Sequence, residues 1–288
     1  MGMSGRDIAA NISRSWLLVN GARPDDYLGA YRSQADQVIL DIEDAVDDSL
    51  KDTARRMVAA WLSEPGNSAW VRINARSTRH WSGDVARLKG ISGLRGVVLA
   101  KTESPQQVTE THYRLGQTLP VVALIESALG IERAVDIARA RGAFRLAFGS
   151  GDYRRDTGAS ADDLAMAYPR SRLVVASRVG ELPGPIDGPT VSNSHPVLRE
   201  QSETTVSLGL TGKLCLDPGQ VPIINETISP KPSDVDWAQA FLADFTRRGE
   251  TIRDGSDLPR LARARKIIDL ATAFGVAGVA DGLETRVG

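Results

Sequence analysis

Short runs of apolar and β-branched residues recur along the chain and alternate with longer segments whose apolar residues have helical spacing. This alternation predicts strand and helix units around a parallel sheet. The run 172–177 is apolar enough for a strand, but it lies in a stretch, 169–180, that begins with proline and ends with glycine, so it is interpreted as helix. Eight strands are predicted, at 16–20, 37–41, 69–74, 96–100, 121–125, 145–149, 185–188 and 213–217.

Eight strands within about 200 residues favour a closed (β/α)8 barrel, the TIM barrel, over an open α/β sheet. No Gly-x-Gly-x-x-Gly motif follows the first strand, which removes the main support for a dinucleotide-binding sheet. The chain is divided into a loose leader (1–13), a barrel (14–228) and a C-terminal helical extension or lid (229–288). Two helices are predicted in the extension, at 237–249 and 258–274.

The composition is typical of a folded globular protein. Of the 288 residues, 42% are hydrophobic and 25% are charged, which allows a sizeable core. The 35 Lys and Arg against 36 Asp and Glu give a net charge of −1, so nucleic acid is not an expected partner. The lone cysteine, Cys215, excludes an internal disulfide, and the apolar runs are too short to span a membrane. The start of the chain lacks the features of a signal peptide, so a cytoplasmic protein is expected.

Polar residues stand at the ends of the predicted strands, where a parallel barrel has its active site. Carboxylates brought together there repel one another unless a cation separates them, which indicates a divalent metal site with oxygen ligands. None of the three histidines ends a strand, which favours Mg²⁺ or Mn²⁺ over zinc. Glu126 and Asp152 are the first candidate ligands; alternatively, each is a surface carboxylate near a helix start. The strand-end residues are Asp41, Glu43, Asp44, Arg72, Asn74, Lys101, Glu103, Glu126, Asp152 and Asp217.

Arg72 lies inside a predicted strand and shares a face with Asn74, which ends that strand. An arginine on a barrel strand needs an anion to compensate its charge. Two anions are compatible with the sequence: a carboxylate of the protein itself, or a substrate carboxylate held by two parallel hydrogen bonds. The residue types leave this choice open.

Six stretches, in chain order, resemble the HpcH/HpaI aldolase/citrate lyase family, and more narrowly its citrate lyase β-subunit-like branch of CoA-ester lyases. They are RSWLLVNGARP (14–24), VILDIEDAV (38–46, followed by Lys51 and Arg55), VRIN (71–74), ALIE (123–126), LAFGSGD (146–152) and GKLCLDPGQ (212–220). The resemblance implies a TIM barrel that forms homotrimers or hexamers. It also implies that Glu126 and Asp152 hold Mg²⁺ and that Arg72 clamps the carboxylate of a 2-oxo acid.

The reaction that this resemblance implies is cleavage of a 3-hydroxyacyl-CoA, of the citramalyl-, malyl- or citryl-CoA kind, into an acyl-CoA and a 2-oxo acid. Mg²⁺, with Mn²⁺ as the other candidate, would bind the carboxylate and hydroxyl oxygens of the substrate. Backbone N–H groups near Gly151 and Asp152 would stabilise the thioester enolate. Asp41, Glu43 and Asp44 would hydrogen-bond to metal-bound water and relay protons, although Asp44 has the alternative role of capping a helix start.

The resemblance implies a lid residue as well. Lyases of the family offer an aspartate in an Asp-x-Pro setting as acid or base, and Asp257 matches it here, with Asp254 as the second candidate. The alternative is that Ser256 or Asp257 caps the last helix, whose first turn holds Pro259. The candidates for binding CoA phosphates, or internal carboxylates instead, are Arg14, Arg23, Lys51 and Arg55.

Two positions depart from the family pattern and keep other functions open. Asn20 stands where the family usually has proline, and Asp217, which adds negative charge at the barrel mouth, stands where it usually has histidine. One rival function is a thioesterase that hydrolyses malyl-CoA. Another is an aldolase of free 2-keto-3-deoxy acids, which would need a histidine after the second strand. The rival of a different class is a catalytically silent paralogue that binds CoA esters.

Overall fold

Eight parallel strands close into a barrel in chain order, β1 next to β2 and so on until β8 meets β1. The computed structural model describes residues 8–192 and 194–276. The fold confirms the predicted TIM barrel. The strands are β1 (Ser15–Asn20), β2 (Gln37–Asp41), β3 (Ala69–Ile73), β4 (Leu94–Leu99), β5 (Val121–Ile125), β6 (Ala143–Phe148), β7 (Ile186–Asp187) and β8 (Gly212–Cys215).

At least one helix follows each strand, as a (β/α)8 arrangement requires. The helices that follow β1 to β8 within the barrel are α1 (Pro24–Tyr31), α2 (Lys51–Ser63), α3 (Trp81–Leu88), α4 (Pro105–Arg114), α5 (Ala128–Glu132), α6 (Ala134–Ala138), α7 (Ser150–Thr157), α8 (Asp163–Val179), α9 (His195–Ser207) and α10 (Val221–Ile228). The apolar run 172–177 is helical, as predicted, but its helix α8 begins at Asp163 and contains Pro169 in its interior. Asp162 caps this helix by accepting the N–H of Ala165 at 2.9 Å.

The barrel interior is filled by one apolar cluster to which every strand contributes. The cluster consists of Trp16, Ile39, Trp70, Val98, Val122, Leu124, Ala147, Ile186 and Leu214. Side chains two residues apart on a strand share a face, so Asp41 follows Ile39 and Arg72 follows Trp70 on the interior face. The polar site therefore lies directly above the apolar filling, at the carboxyl ends of the strands.

Residues 8–13 are packed, which corrects the prediction that 1–13 form a loose leader. Ile8 is 5% exposed and Ser13 is fully buried. Arg145, on β6, donates to the carbonyl oxygens of Ala10 and Ser13 at 3.0 Å each. This buried guanidinium ties the segment to the amino end of the barrel. Residues 1–7 of the predicted leader lie outside the described residues.

A second compact unit covers Glu226–Gly288, and the first covers Met1–Asn225, close to the predicted boundary at 228. Within the second unit, α11 (Pro232–Arg247) and α12 (Asp257–Phe274) pack against each other. The first of these helices begins five residues before its predicted start, with Pro232 in its first turn. Residues 277–288 of the predicted extension lie outside the described residues. No described helix is both long and apolar enough to cross a bilayer.

Candidate active site

The site is assembled from the loops that leave five neighbouring strands, β2 to β6. Asp41 is the last residue of β2 and lies beside Arg72 of β3 in the strand register. Lys101 and Glu126 follow β4 and β5 within two residues. Asp152 lies in the first turn of α7, four residues after Phe148 ends β6. The structure thus brings together most of the strand-end residues predicted from the sequence.

Asp41 and Arg72 form a bidentate ion pair. The Arg72 Nε and Nη2 atoms donate to the two Asp41 oxygens at 2.7 and 2.6 Å. Asp41 also accepts the backbone N–H groups of Glu43 and Ala45, at 2.9 and 3.1 Å, so it folds the loop after β2 around itself. Burial alone would lower the pKa of Arg72, but the carboxylates of Asp41, Glu43 and Glu126 together outweigh it and the pKa is raised. Of the two anions that the sequence allows for Arg72, the structure therefore shows the first, a carboxylate of the protein itself.

The other end of the Arg72 guanidinium faces Glu43, whose Oε2 lies 3.6 Å from Arg72 Nη1. Glu43 is nearly buried, and burial raises the pKa of its carboxyl, an effect that the Arg72 and Lys101 charges offset only in part. Lys51 is buried beneath this loop and donates to the carbonyl oxygens of Ile42 and Glu43 at 3.2 and 2.6 Å. Lys51 therefore supports the Glu43 loop through backbone carbonyls, which corrects its prediction as a contact for CoA phosphates or an internal carboxylate.

Lys101 connects the loop after β2 with the residues that follow β5 and β6. Its backbone N–H donates to Glu126 Oε1 at 2.7 Å, and its Nζ atom donates to Glu43 and to both oxygens of Asp44, the latter at 3.1 and 3.2 Å. Asp152 Oδ2 lies 3.4 Å from the same Nζ atom. The sequence placed Lys101 in the strand-end ring but gave it no role. Its only signal was a lysine directly after an apolar strand.

Glu126 is 5% exposed, and its carboxyl fits against a glycine. A Cβ atom at Gly149 would lie 2.3 Å from Glu126 Oε2, so a larger residue there would displace the carboxylate. Burial raises the pKa of Glu126 to about 8, although the Lys101 N–H and ammonium act in the opposite direction. A buried carboxyl of this kind is stabilised in its charged form by a neighbouring cation.

Asp152 carries a buried oxygen, Oδ2, that accepts no hydrogen bond. Lys101 Nζ and Arg155 Nη2 lie 3.4 and 3.2 Å away without hydrogen-bonding geometry. Asp152 and Glu126 together provide the kind of ligands that Mg²⁺ uses. This ion commonly binds one or two carboxylates and fills its other coordination positions with water and substrate. Within the residues that the structure describes, no three Asp, Glu, His or Cys side chains form a complete cage. The residues present fit a partly hydrated oxygen-bound ion.

The site opens into a cavity of about 580 Å³ at the carboxyl ends of β1, β2 and β8. Asp41 and Arg72 line its inner end. The two positions that depart from the family pattern, Asn20 and Asp217, line the same cavity. Arg23 lines it as well and is exposed, with Nε 3.8 Å from Asp26.

Two of the predicted phosphate contacts are internal ion pairs. Arg14 precedes β1, at the amino end of the barrel, and its Nε and Nη2 atoms donate to the two oxygens of Asp36 at 2.8 Å each. Arg55 donates to the buried Asp84 at 2.7 Å and also pairs with Asp52. For both arginines the structure shows the internal-carboxylate alternative, so the prediction of Arg14 as a substrate contact is wrong. Arg23 alone of the four lines the cavity.

Asp257 is held inside the second unit. Arg248 Nη1 and Nη2 donate to its two oxygens at 2.8 and 3.1 Å, and the Arg253 N–H donates to it at 2.9 Å. These bonds, led by the one from Arg248, lower the pKa of Asp257. Asp254 accepts the Ser256 N–H at 2.7 Å. Both aspartates thus have local partners close to the start of α12. The capping alternative is wrong as well, because Ser256 occupies the N-cap position without a side-chain cap hydrogen bond and Asp257 is the first residue of the helix.

A TIM barrel with buried carboxylates, an ion-paired arginine and a lysine at its strand ends defines a barrel enzyme whose site suits an oxygen-bound divalent cation. Comparison with known proteins gives the family. Residues 14–218 match the HpcH/HpaI aldolase/citrate lyase family, and residues 233–275 match the HpcH/HpaI aldolase C-terminal domain. The chain belongs to this family and is a carbon–carbon lyase, as the sequence predicts.

Three similar proteins illustrate the membership. A citrate lyase subunit beta-like protein of Deinococcus radiodurans is 29% identical, over 88% of this chain and 96% of its own. The mitochondrial citramalyl-CoA lyase of Rattus norvegicus is 27% identical, over 84% and 80%. The structure of CitE from Mycobacterium tuberculosis, in complex with magnesium, acetoacetate and coenzyme A, superimposes with a TM-score of 0.78 at 27% identity, over 91% of this chain and 99% of the other.

Proposed function

We propose that the protein is a Mg²⁺-dependent CoA-ester lyase that cleaves a 3-hydroxyacyl-CoA, of the citramalyl-, malyl- or citryl-CoA kind, into an acyl-CoA and a 2-oxo acid. The observation that carries the proposal is the unsatisfied Asp152 oxygen near the buried Glu126 carboxyl, which in turn interacts with the charge of Arg72. The relatives named citrate lyase subunit beta-like protein and citramalyl-CoA lyase support the reaction class. Mn²⁺ prefers the same oxygen ligands and is the expected substitute.

Glu126 and Asp152 would hold the ion, with water and substrate oxygens completing its coordination. When bound, it supplies Lewis-acid stabilisation of the negative charge that develops on the substrate oxygen as the carbon–carbon bond breaks. Gly149 contributes by leaving space for the Glu126 carboxylate. Burial raises the pKa of Glu126 to about 8 because it disfavours the charged carboxylate, and a cation bound next to it would stabilise that charged form.

Arg72 orients the substrate. Asp41 occupies the Nε and Nη2 edge of the guanidinium, and the remaining N–H groups on Nη1 and Nη2 form a second edge. That edge can hold the carboxylate of the 2-oxo acid part with two parallel hydrogen bonds. Because Asp41 fixes the guanidinium plane, the carboxylate is fixed too, and the breaking bond keeps one orientation relative to the thioester.

The thioester end of the substrate would meet the start of α7. Gly151 and Asp152 lie in its first turn, where backbone N–H groups have no acceptor within the helix. These groups can donate to the enolate oxygen that forms on the acyl-CoA part. Gly151 has open space around its Cα, so its backbone can be approached closely.

Glu43 and Asp44 would handle the proton of the substrate hydroxyl. Glu43 is buried and its pKa is raised, so its Oε atoms can bind and release a proton closer to neutral pH than an exposed glutamate. Asp44 is half-exposed and shares Lys101 with Glu43, which gives a route from the site to solvent. Asp257 has no role in the proposal, because Arg248 holds it in a local ion pair and its pKa is lowered.

The test is a cleavage assay with Mg²⁺ and a panel of citramalyl-, malyl- and citryl-CoA, in which acyl-CoA and 2-oxo acid are followed by mass spectrometry and EDTA serves as control. Cleavage of at least one substrate, abolished by EDTA, is expected. The Glu126→Gln variant should lose both Mg²⁺ affinity and turnover by at least about 100-fold, the typical cost of removing an essential electrostatic group. Glu203→Gln, at an exposed position on α9, is the matched control.

Other products would change the assignment. Free CoA together with an intact hydroxy acid identifies a thioesterase. Tight binding of CoA esters without any product identifies a silent binding protein. Unchanged turnover in Glu126→Gln would remove this carboxylate from the ligand set. Light scattering during size-exclusion chromatography of the same preparation tests the trimer or hexamer that the resemblance implies.

A further inference from the structure

Lys101 has a backbone conformation that lysine rarely adopts. Its φ angle is 49°, in the left-handed region that favours glycine. A glycine would adopt this conformation without strain and would donate the same backbone N–H to Glu126. A strained residue of this kind persists where its surroundings fix it, and such positions cluster in functional sites. The lysine side chain therefore needs its own explanation.

The ammonium group of Lys101 is surrounded by carboxylates. Its Nζ atom donates to Glu43 and to Asp44, at 3.1 and 3.2 Å for the two Asp44 oxygens, and lies 3.4 Å from Asp152 Oδ2. The same residue holds Glu126 through its N–H at 2.7 Å. Lys101 thus touches both candidate metal ligands, one with its backbone and the other with its charge.

We propose that Lys101 is the resident cation of the site, and that its ammonium neutralises the carboxylates until a divalent ion takes over this charge. The inference rests on the metal dependence of the proposed function. Without a cation, Glu43, Asp44 and Asp152 would repel one another and the loops that carry them would move apart. The lysine keeps these loops together, so that metal binding is an exchange of cations in a formed site.

The exchange has a physical basis in the geometry. Two cations a few ångströms apart repel strongly in a partly buried site, so an ion bound by Asp152 displaces the ammonium. The Lys101 side chain is 34% exposed and Asp44 is 53% exposed, so the displaced ammonium can move outward and keep Asp44 as a partner. Lys101 is a positioning residue in this account, because it acts on the ligands and not on the substrate.

The first test measures metal affinity in Lys101→Met, which removes the charge but keeps the backbone N–H. Binding of Mn²⁺ is followed by electron paramagnetic resonance of the free ion, and binding of Mg²⁺ by calorimetry. The variant should bind both ions at least about tenfold more tightly than the wild type, because no ammonium competes or repels. Its metal-free form should melt at a lower temperature. Lys89→Met, at an exposed position after α3, should change neither quantity.

The second test uses the wild type and does not depend on how a variant folds. Surface lysines are acylated with a limiting amount of an N-hydroxysuccinimide ester, with and without Mg²⁺, and each site is quantified by peptide mass spectrometry. Mg²⁺ should increase the acylation rate of Lys101 several-fold, because the displaced ammonium moves toward solvent and leaves Glu43 and Asp152, keeping only the half-exposed Asp44 as a partner. Lys89 should react equally in both conditions.

Unchanged or weaker metal binding in Lys101→Met overturns the exchange, and so does protection of Lys101 from acylation by Mg²⁺. Either result leaves the proposed lyase in place if the wild type binds Mg²⁺ and cleaves its substrate. A wild type that binds neither ion removes the metal from the proposed function itself, together with the exchange. The two failures are therefore distinguishable.

Discussion

Arg72 divides its guanidinium between the protein and the cavity. Asp41 takes one edge at 2.6 and 2.7 Å, and the second edge reaches only Glu43, at 3.6 Å, among the described residues. A buried ion pair is costly to desolvate, and it is stable here because Asp41 also accepts two backbone N–H groups. The pair therefore serves orientation: it fixes the plane in which the second edge can meet a carboxylate.

Arg72→Lys should separate orientation from charge. Lysine keeps the positive charge but provides a single point donor, so it cannot pair with Asp41 on one side and a substrate carboxylate on the other. In the condensation direction, the KM for the 2-oxo acid should rise at least about tenfold, which is about 1.4 kcal/mol. Initial rates at varied 2-oxo acid concentration measure this. An unchanged KM would show that the second edge does not bind the carboxylate.

Cys215 is fully buried at the end of β8, and burial raises its pKa to about 12. At pH 8 roughly one thiol in ten thousand is then ionised, so the native protein should not react with iodoacetamide. Complete modification should appear only after unfolding in urea, as measured by intact-mass spectrometry. Rapid alkylation of the native protein at pH 8 would contradict this burial.

Strands and their exits could be predicted from the sequence because they depend on local pattern. Short β-branched runs mark the eight strands, and Glu126 and Asp152 are candidates because the first follows such a run directly and the second within four residues. The register of the barrel then brings these positions together at one end, whatever residues they hold. The fold could therefore be predicted from the sequence, and so could the end of the barrel at which the candidate residues lie.

The partners of the charged residues could not be predicted in the same way, because they lie far apart along the chain. Arg14 pairs with Asp36 and Lys101 with Glu43, and neither pairing leaves a local signal. The packed segment 8–13 was missed because the buried Arg145 that holds it lies over 130 residues away. The early start of α8 was missed because Pro169, a usual helix start, is buried in its interior.

The short strand β7 is held by a buried charge network. Asp187 pairs with Arg170 of α8 at 2.9 Å and accepts from Thr205 of α9 at 2.6 Å. Lys213 of β8 lies 3.4 Å from it and donates to the Gly188 carbonyl at 2.8 Å. Burial acts to raise the pKa of Asp187, but Lys213 and Arg170 outweigh it and the pKa is lowered. Two helices and two strands thus depend on one carboxylate.

Asp187→Asn should destabilise the barrel by about 3 kcal/mol at pH 7, because it leaves buried Lys213 without its counter-ion. A carboxyl with a lowered pKa contributes stability above its ordinary pKa of about 4, and this contribution is lost as the pH falls through the lowered value. The difference between wild type and variant should therefore shrink at acid pH.

Urea unfolding at pH 7, 5, 4 and 3 measures this dependence. Asp136→Asn, at an exposed position on α6, is the matched control and should track the wild type at every pH. A constant difference between Asp187→Asn and wild type across this range would show that the charge of Asp187 contributes nothing.

The cavity beside Arg72, on one side of the barrel mouth, is lined by more negative than positive side chains. Its lining includes four carboxylates, of Asp25, Asp26, Asp41 and Asp217, and two guanidiniums, of Arg23 and Arg72. Arg72 is already paired with Asp41, and Arg23 is exposed and close to Asp26. If Arg72 holds one carboxylate of the substrate, a second carboxylate of the same substrate would extend into this cavity and be repelled by its lining.

If the proposed lyase reaction is correct, the enzyme should prefer a 2-oxo acid with one carboxylate, such as pyruvate, over oxaloacetate, which has two. In the condensation direction, kcat/KM should be at least about tenfold higher for pyruvate, since like charges at a few ångströms cost more than 1 kcal/mol in a partly buried site. Asp217→Asn should reduce this preference about threefold, and Asp136→Asn should leave it unchanged. Because Asp217 is exposed, salt should weaken its effect, so the ratio is measured at 20 and 300 mM KCl. Equal kcat/KM for the two acids, with no response to Asp217→Asn, would mean that the second carboxylate points away from this cavity. Asp217 would then act only in the turn after β8, where it accepts the Gly219 N–H at 2.7 Å.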